Sequence, residues 1–102
     1  MQLNKEHILQ LLADHRQQLS AFGVEQIGLF GSFVRGEATD ESDIDLLVDI
    51  RRDKKTFRNF LSLSYYLEEI LGRKVELVTR QSLSPYIGPH ILKTAEYVSL
   101  TG

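Results

Sequence analysis

Two aspartates, Asp43 and Asp45, flank one isoleucine at the head of an apolar run that continues Leu46-Leu47-Val48. No other feature constrains the chain as tightly. Residues two apart on a strand point to one face, with Cα atoms roughly 7 Å apart, so both carboxylates lean over a single site. Left alone they repel, by on the order of 4 kcal/mol for unit charges about 4 Å apart at an effective dielectric near 20. A hard divalent ion removes that penalty, and Mg²⁺ binds through one or two carboxylates plus substrate phosphates. The pair therefore points to Mg²⁺ and to phosphoryl transfer, unless both aspartates only form the wet edge of a half-buried strand. Asp49 has the same parity but lies about 13 Å further along an ideal strand, out of reach of the same ion.

Upstream, Ile27-Gly28-Leu29-Phe30-Gly31-Ser32-Phe33-Val34-Arg35-Gly36 reads as a short apolar strand that breaks at Gly31 and enters a helical turn led by Ser32. Glycine permits positive φ and close backbone approach, and backbone N–H groups at a helix start, aided by a hydroxyl, accept an anion. Asp43 follows Ser32 by eleven residues, which tethers a phosphate cradle to a metal site. If the strand ending at Phe30 and the one beginning near Asp43 pair antiparallel, Ser32 and Asp43 share one rim of the sheet.

A helix is expected over 56–71, with Phe57, Phe60, Leu61, Ser64, Leu67 and Leu71 at spacings of three and four, stopped by Gly72. The strand 74–79 follows, and a helical crossover sets it parallel to its predecessor. That register brings Glu76 level with Asp45 as a third carboxylate. An opening helix from a cap at Asn4 to about Phe22 carries the stripe Ile8, Leu11, Leu12, His15, Leu19 and Phe22. A last short helix from His90 to about Ala95 precedes an extended tail over 97–100. The three histidines show no metal spacing and none is assigned to catalysis. Arg51, Arg52, Lys54, Lys55 and Arg58 form a charge run, read as a solvated face or a docking patch for an acidic partner. Tyr65, Tyr66 and Tyr86 read as core or interface anchors.

Gly31 to Gly36, Ser42 to Val48 and Val75 to Val78 together resemble the minimal nucleotidyltransferases of the DNA polymerase beta superfamily, and more closely the MNT antitoxins encoded beside HEPN-domain toxins. The resemblance spans essentially the whole chain, most specifically 31–48. It implies an α/β fold, a small mixed sheet flanked by helices, and transfer of a nucleoside monophosphate from an NTP to a hydroxyl with release of pyrophosphate. It implies that Gly31 and Ser32 hold the β- and γ-phosphates, that Asp43 and Asp45 ligate Mg²⁺, and that Glu76 ligates a metal and serves as base. Many family members carry Asp at this third position. Arg35 fits as a supporting phosphate contact or as a salt bridge that fixes its loop.

With 102 residues the chain is expected to form one domain over 1–102, leaving the acceptor to be presented by a partner protein. A net charge of −2 argues against nucleic acid as the primary partner. The lack of a long apolar run or leader fits the cytoplasm and no membrane association, and the lack of cysteine excludes disulfides and thiolate metal sites. The expected activity is adenylyl transfer from ATP to a hydroxyl, a tyrosine of a cognate HEPN toxin. The competing expectations are an antitoxin that neutralises by binding alone, and a small-molecule nucleotidyltransferase acting as a homodimer.

Overall fold

The computed structural model describes residues 3–100. Its order is α1 (Lys5–Asp14), α2 (Arg16–Ala21), β1 (Val24–Phe30), α3 (Ser32–Arg35), β2 (Ile44–Ile50), α4 (Phe57–Leu71), β3 (Val75–Thr79), α5 (Gly88–Thr94) and β4 (Glu96–Val98). The four strands form one mixed sheet in the order β3-β2-β1-β4. β1 runs antiparallel to β2 and to β4, while β3, returning through α4, runs parallel to β2. The α/β class, the antiparallel β1–β2 pair and the parallel β3 all match the expectation from sequence.

Alternation along β2 divides the molecule. Ile44, Leu46, Val48 and Ile50 are at most 3 % exposed and join Ile27 and Leu29 of β1 in the main core. Ile8 and Leu12 of α1, Leu19 of α2, and Leu63, Leu67 and Leu71 of α4 complete it. Each fully buried aliphatic side chain stabilises by about 1.5–3 kcal/mol, so this face holds the fold. Asp45, Leu47 and Asp49 occupy the opposite face of β2. There the ring of Tyr97 lies over Gly28, where a Cβ would come within 2.8 Å of it. Lys5 of α1 holds Glu96 of β4 in an ion pair of 2.9 Å.

Three expectations need correction. The opening helix is interrupted at His15, which leaves helical geometry at φ −106°, ψ 20°. Its Nδ1 lies 2.8 Å from the Leu11 carbonyl oxygen, and its ring meets Tyr66 edge-on at 6.1 Å. On α4, Thr56 caps the first turn by accepting from the Asn59 N–H, and Gly72 ends the helix, both as expected. The buried row, however, runs through Leu63, Leu67 and Leu71, leaving Phe57 76 % exposed and Leu61 at the surface. Finally, α5 starts at Gly88 rather than His90, and the tail contributes the strand β4, paired with β1 at Ile27, Gly28 and Leu29.

Candidate active site

Asp45 stands in register with Phe30 of β1 on one side and Glu76 of β3 on the other. Asp43 immediately precedes β2. It is placed by a pinned loop: the Ile44 N–H donates to the Lys74 carbonyl oxygen (3.0 Å), and Arg73 Nη1 donates to the carbonyl oxygens of Thr39 (3.0 Å) and Ser42 (3.2 Å). Thr39 and Ser42 close the same turn, through the Thr39 N–H to Ser42 Oγ (2.8 Å) and the Ser42 N–H to the Thr39 carbonyl oxygen (3.1 Å). The Arg73 guanidinium also lies 5.5 Å from the centroid of Phe33, a contact worth about 0.5–1 kcal/mol at an exposed site. Arg73 thus holds the approach to Asp43, and no local pattern in the sequence marks it.

Gly31 meets two demands that no other residue meets. Its φ of 81° with ψ of −149° lies in a region essentially reserved for glycine, and a Cβ there would fall on the Asp45 carboxylate. The expected crowding is therefore with the aspartate itself. Ser32 opens α3 directly after Gly31, and the N–H groups of Val34 and Arg35 return to the Gly31 carbonyl oxygen at 3.1 Å. Arg35 Nε donates to Glu37 Oε1, so the guanidinium braces its own loop while staying exposed.

The electrostatics are those of an under-compensated anionic site. The Asp45 carboxyl is pushed up from its ordinary 3.8 to about 6, first by partial burial, then by the charge of Glu76 and a carboxyl hydrogen bond with it, and by Asp43. Arg35 acts in the opposite direction. Among the described residues no three His, Cys, Asp or Glu side chains converge into a set able to hold a metal as they stand; Asp45 and Glu76 adjoin, with Asp43 within electrostatic reach. An all-oxygen pair of this kind suits Mg²⁺, which completes its shell with water and substrate phosphates rather than an all-protein cage.

A cleft of about 560 Å³ opens over these groups, with Gly31, Arg35, Asp45 and Glu76 in its lining. Val78, Leu83, Ile87 and Ile91 supply apolar surface, and Ser82, Ser84 and His90 supply polar atoms. This volume is within the usual range for small-molecule sites. No local pattern in the sequence assigns His90 or its neighbours in 82–91 to this site, because only tertiary folding carries α5 to the carboxylates. Asp49 lines a different depression with Glu25, Gln26 and Tyr97, consistent with its exclusion from the site.

A family model described as the nucleotidyltransferase domain matches residues 9–98. The chain belongs to the nucleotidyltransferase family. It is 42 % identical over 97 residues to the protein adenylyltransferase MntA of Thermococcus cleftensis, covering 94 % of this chain and 97 % of that one. A solved chain described as a minimal nucleotidyltransferase superposes with a TM-score of 0.71 at 31 % identity, over 88 % of this chain and 93 % of that one. A chain from a toxin–antitoxin structure with AMP-PNP gives 0.65 at 28 % identity, over 98 % and 74 %. The fold of this nucleotidyltransferase is accordingly that of the minimal members. Among its described residues no helix is long and apolar enough to cross a membrane.

Proposed function

We propose that this nucleotidyltransferase is an Mg²⁺-dependent protein adenylyltransferase, moving AMP from ATP to a tyrosine hydroxyl of a HEPN-domain toxin and so acting as its antitoxin in the cytoplasm. The observation that carries this reading is the register of Asp45 with Glu76 across the parallel β2–β3 pair, beside Asp43 and under the cleft. Likeness to a protein adenylyltransferase, and to a toxin–antitoxin chain solved with AMP-PNP, supports a protein acceptor, a toxin partner and an adenine nucleotide.

In this reading Asp43, Asp45 and Glu76 would hold Mg²⁺, and Gly31 and Ser32 would receive the β- and γ-phosphates. When bound, the ion would neutralise charge on the triphosphate. Glu76 takes the proton of the acceptor hydroxyl as its oxygen forms a bond to the α-phosphorus. The bond from that phosphorus to the bridging oxygen of the β-phosphate breaks, and pyrophosphate leaves. Because positioning and electrostatics dominate this chemistry, the carboxylates act once a partner presents the hydroxyl beside them.

The test is incubation of the purified chain and its toxin with Mg²⁺ and labelled ATP. Label in the α-phosphate should remain on the denatured toxin, whereas label in the γ-phosphate should not. Glu76→Gln should slow transfer by about 10²-fold or more, the range for loss of a general base, without preventing complex formation. A stable complex with no label on the toxin would make this an antitoxin that acts by occlusion. Label found only on added small hydroxyl compounds would move the acceptor to that class.

A further inference from the structure

The geometry points to His90 as a pyrophosphate-binding residue, paired with Arg35 across a recess that adjoins the cleft. This inference rests on the nucleotidyl-transfer reading and adds to it the direction in which the triphosphate lies. The recess, about 210 Å³, shares Gly31, Arg35, His90 and Ile91 with the main cleft and extends to Val34 and Thr94. None of Asp43, Asp45 and Glu76 lines it. Among all side chains lining the two spaces, Arg35 and His90 alone bear nitrogen. Arg35 and His90 line the main cleft beside Asp45 and Glu76, and both continue into the recess, which holds the two nitrogen-bearing side chains and no carboxylate.

A triphosphate entering this site is a polyanion facing carboxylates in the cleft and N–H donors without carboxylates in the recess. Its distal phosphates are favoured where guanidinium and imidazole donors can reach them, since hydrogen bonds to charged oxygens are about twice as strong as neutral ones. Charge also moves that way during transfer. As the acceptor oxygen bonds to the α-phosphorus and the bond to the bridging oxygen breaks, negative charge passes to the departing pyrophosphate. Donors already in place there stabilise it without reorganisation.

The helix fixes the backbone of His90, whose exposed side chain stands at the wall of the recess. Gly88 opens α5 against Leu83, where an added Cβ would stand 3.0 Å from the Leu83 Cβ. The Thr94 hydroxyl donates to the His90 carbonyl oxygen at 2.8 Å, closing the last turn. The imidazole itself is given no hydrogen-bond partner by that arrangement and stands at the wall common to both spaces.

The experiment is calorimetric titration of the folded chain, in Mg²⁺, with inorganic pyrophosphate and separately with AMP. His90→Ala should weaken pyrophosphate about tenfold and leave AMP within about twofold, the effect of losing one hydrogen bond to a charged group. His90→Gln, which restores an N–H donor, should recover part of the loss. Unchanged pyrophosphate binding in His90→Ala would overturn the inference, as would equal losses for pyrophosphate and AMP, which a merely structural role would produce. A parent that binds neither ligand would overturn it together with the transfer reading. A parent that shows the selective pyrophosphate effect but labels no acceptor would sustain the inference while refuting protein adenylylation.

Discussion

The two faces of β2 are built from alternate residues of one strand and do opposite things. Ile44, Leu46, Val48 and Ile50 are shut into the core, whereas Asp45 faces a cleft with its carboxyl raised to about 6. A strand selected only for stability would not place a like-charged pair beside a third carboxylate. One face stabilises the domain while the other carries a destabilising charge cluster that a cation and a nucleotide would relieve. Substitutions on the two faces should therefore separate stability from activity.

The largest effect belongs to the aliphatic face. Leu46→Ala should lose about 2–5 kcal/mol through transfer and cavity terms, seen as a large fall in denaturation midpoint; a small fall would mean that the core can collapse around the vacancy. Gly31→Ala tests the boundary between the faces. It should cost about 1–3 kcal/mol for the glycine-only backbone geometry, and should also disturb Asp45, which a Cβ would strike. If Gly31→Ala melts like the parent and still binds nucleotide, the assignment of this position is wrong.

On the acidic face the sign reverses. Folding raises the Asp45 pKa from 3.8 to about 6, so the folded chain holds that proton more tightly than the unfolded one. The associated stability is complete below about pH 3.8 and disappears as pH climbs through about 6. Asp45→Asn should consequently stabilise the metal-free protein at pH 7, by about 1 kcal/mol after solvent screening, a gain of about 4–8 °C in Tm. It should also flatten the stability profile between pH 4 and 6. Destabilisation by Asp45→Asn at pH 7 would contradict the under-compensated site. The smallest change is expected at Asp49, on the same face but in another depression, where Asp49→Asn should stay within about 0.5 kcal/mol of the parent.

Much of this division was legible in the sequence because it rests on local rules. Strand parity sets Asp43 and Asp45 together, the crossover makes β3 parallel, and Thr56 and Gly72 bound α4. The register that follows, Asp45 beside Glu76, needs no more than those. Other features depend on which surfaces meet. Helix α4 carries two apolar rows, one through Phe57 and Leu61 and one through Leu63, Leu67 and Leu71, and only packing against the sheet selects the second. The interruption at His15 involves neither Gly nor Pro and is accompanied by contact with Tyr66, distant in sequence. Arg73 and His90 act through loops and helices that converge only in the folded chain, so no spacing around them announced a role.

The central claim is that the acidic face of β2 is a metal–nucleotide site. Calorimetric titration of ATP into the parent and into the Asp43→Asn/Asp45→Asn double variant, each in Mg²⁺ and in EDTA, tests it most directly. The account predicts that Mg²⁺ tightens ATP binding to the parent, and that the double variant stays folded and binds ATP with the same affinity in both buffers. Equal affinity for the parent with and without Mg²⁺, or a Mg²⁺-dependent gain that survives in the double variant, would contradict it.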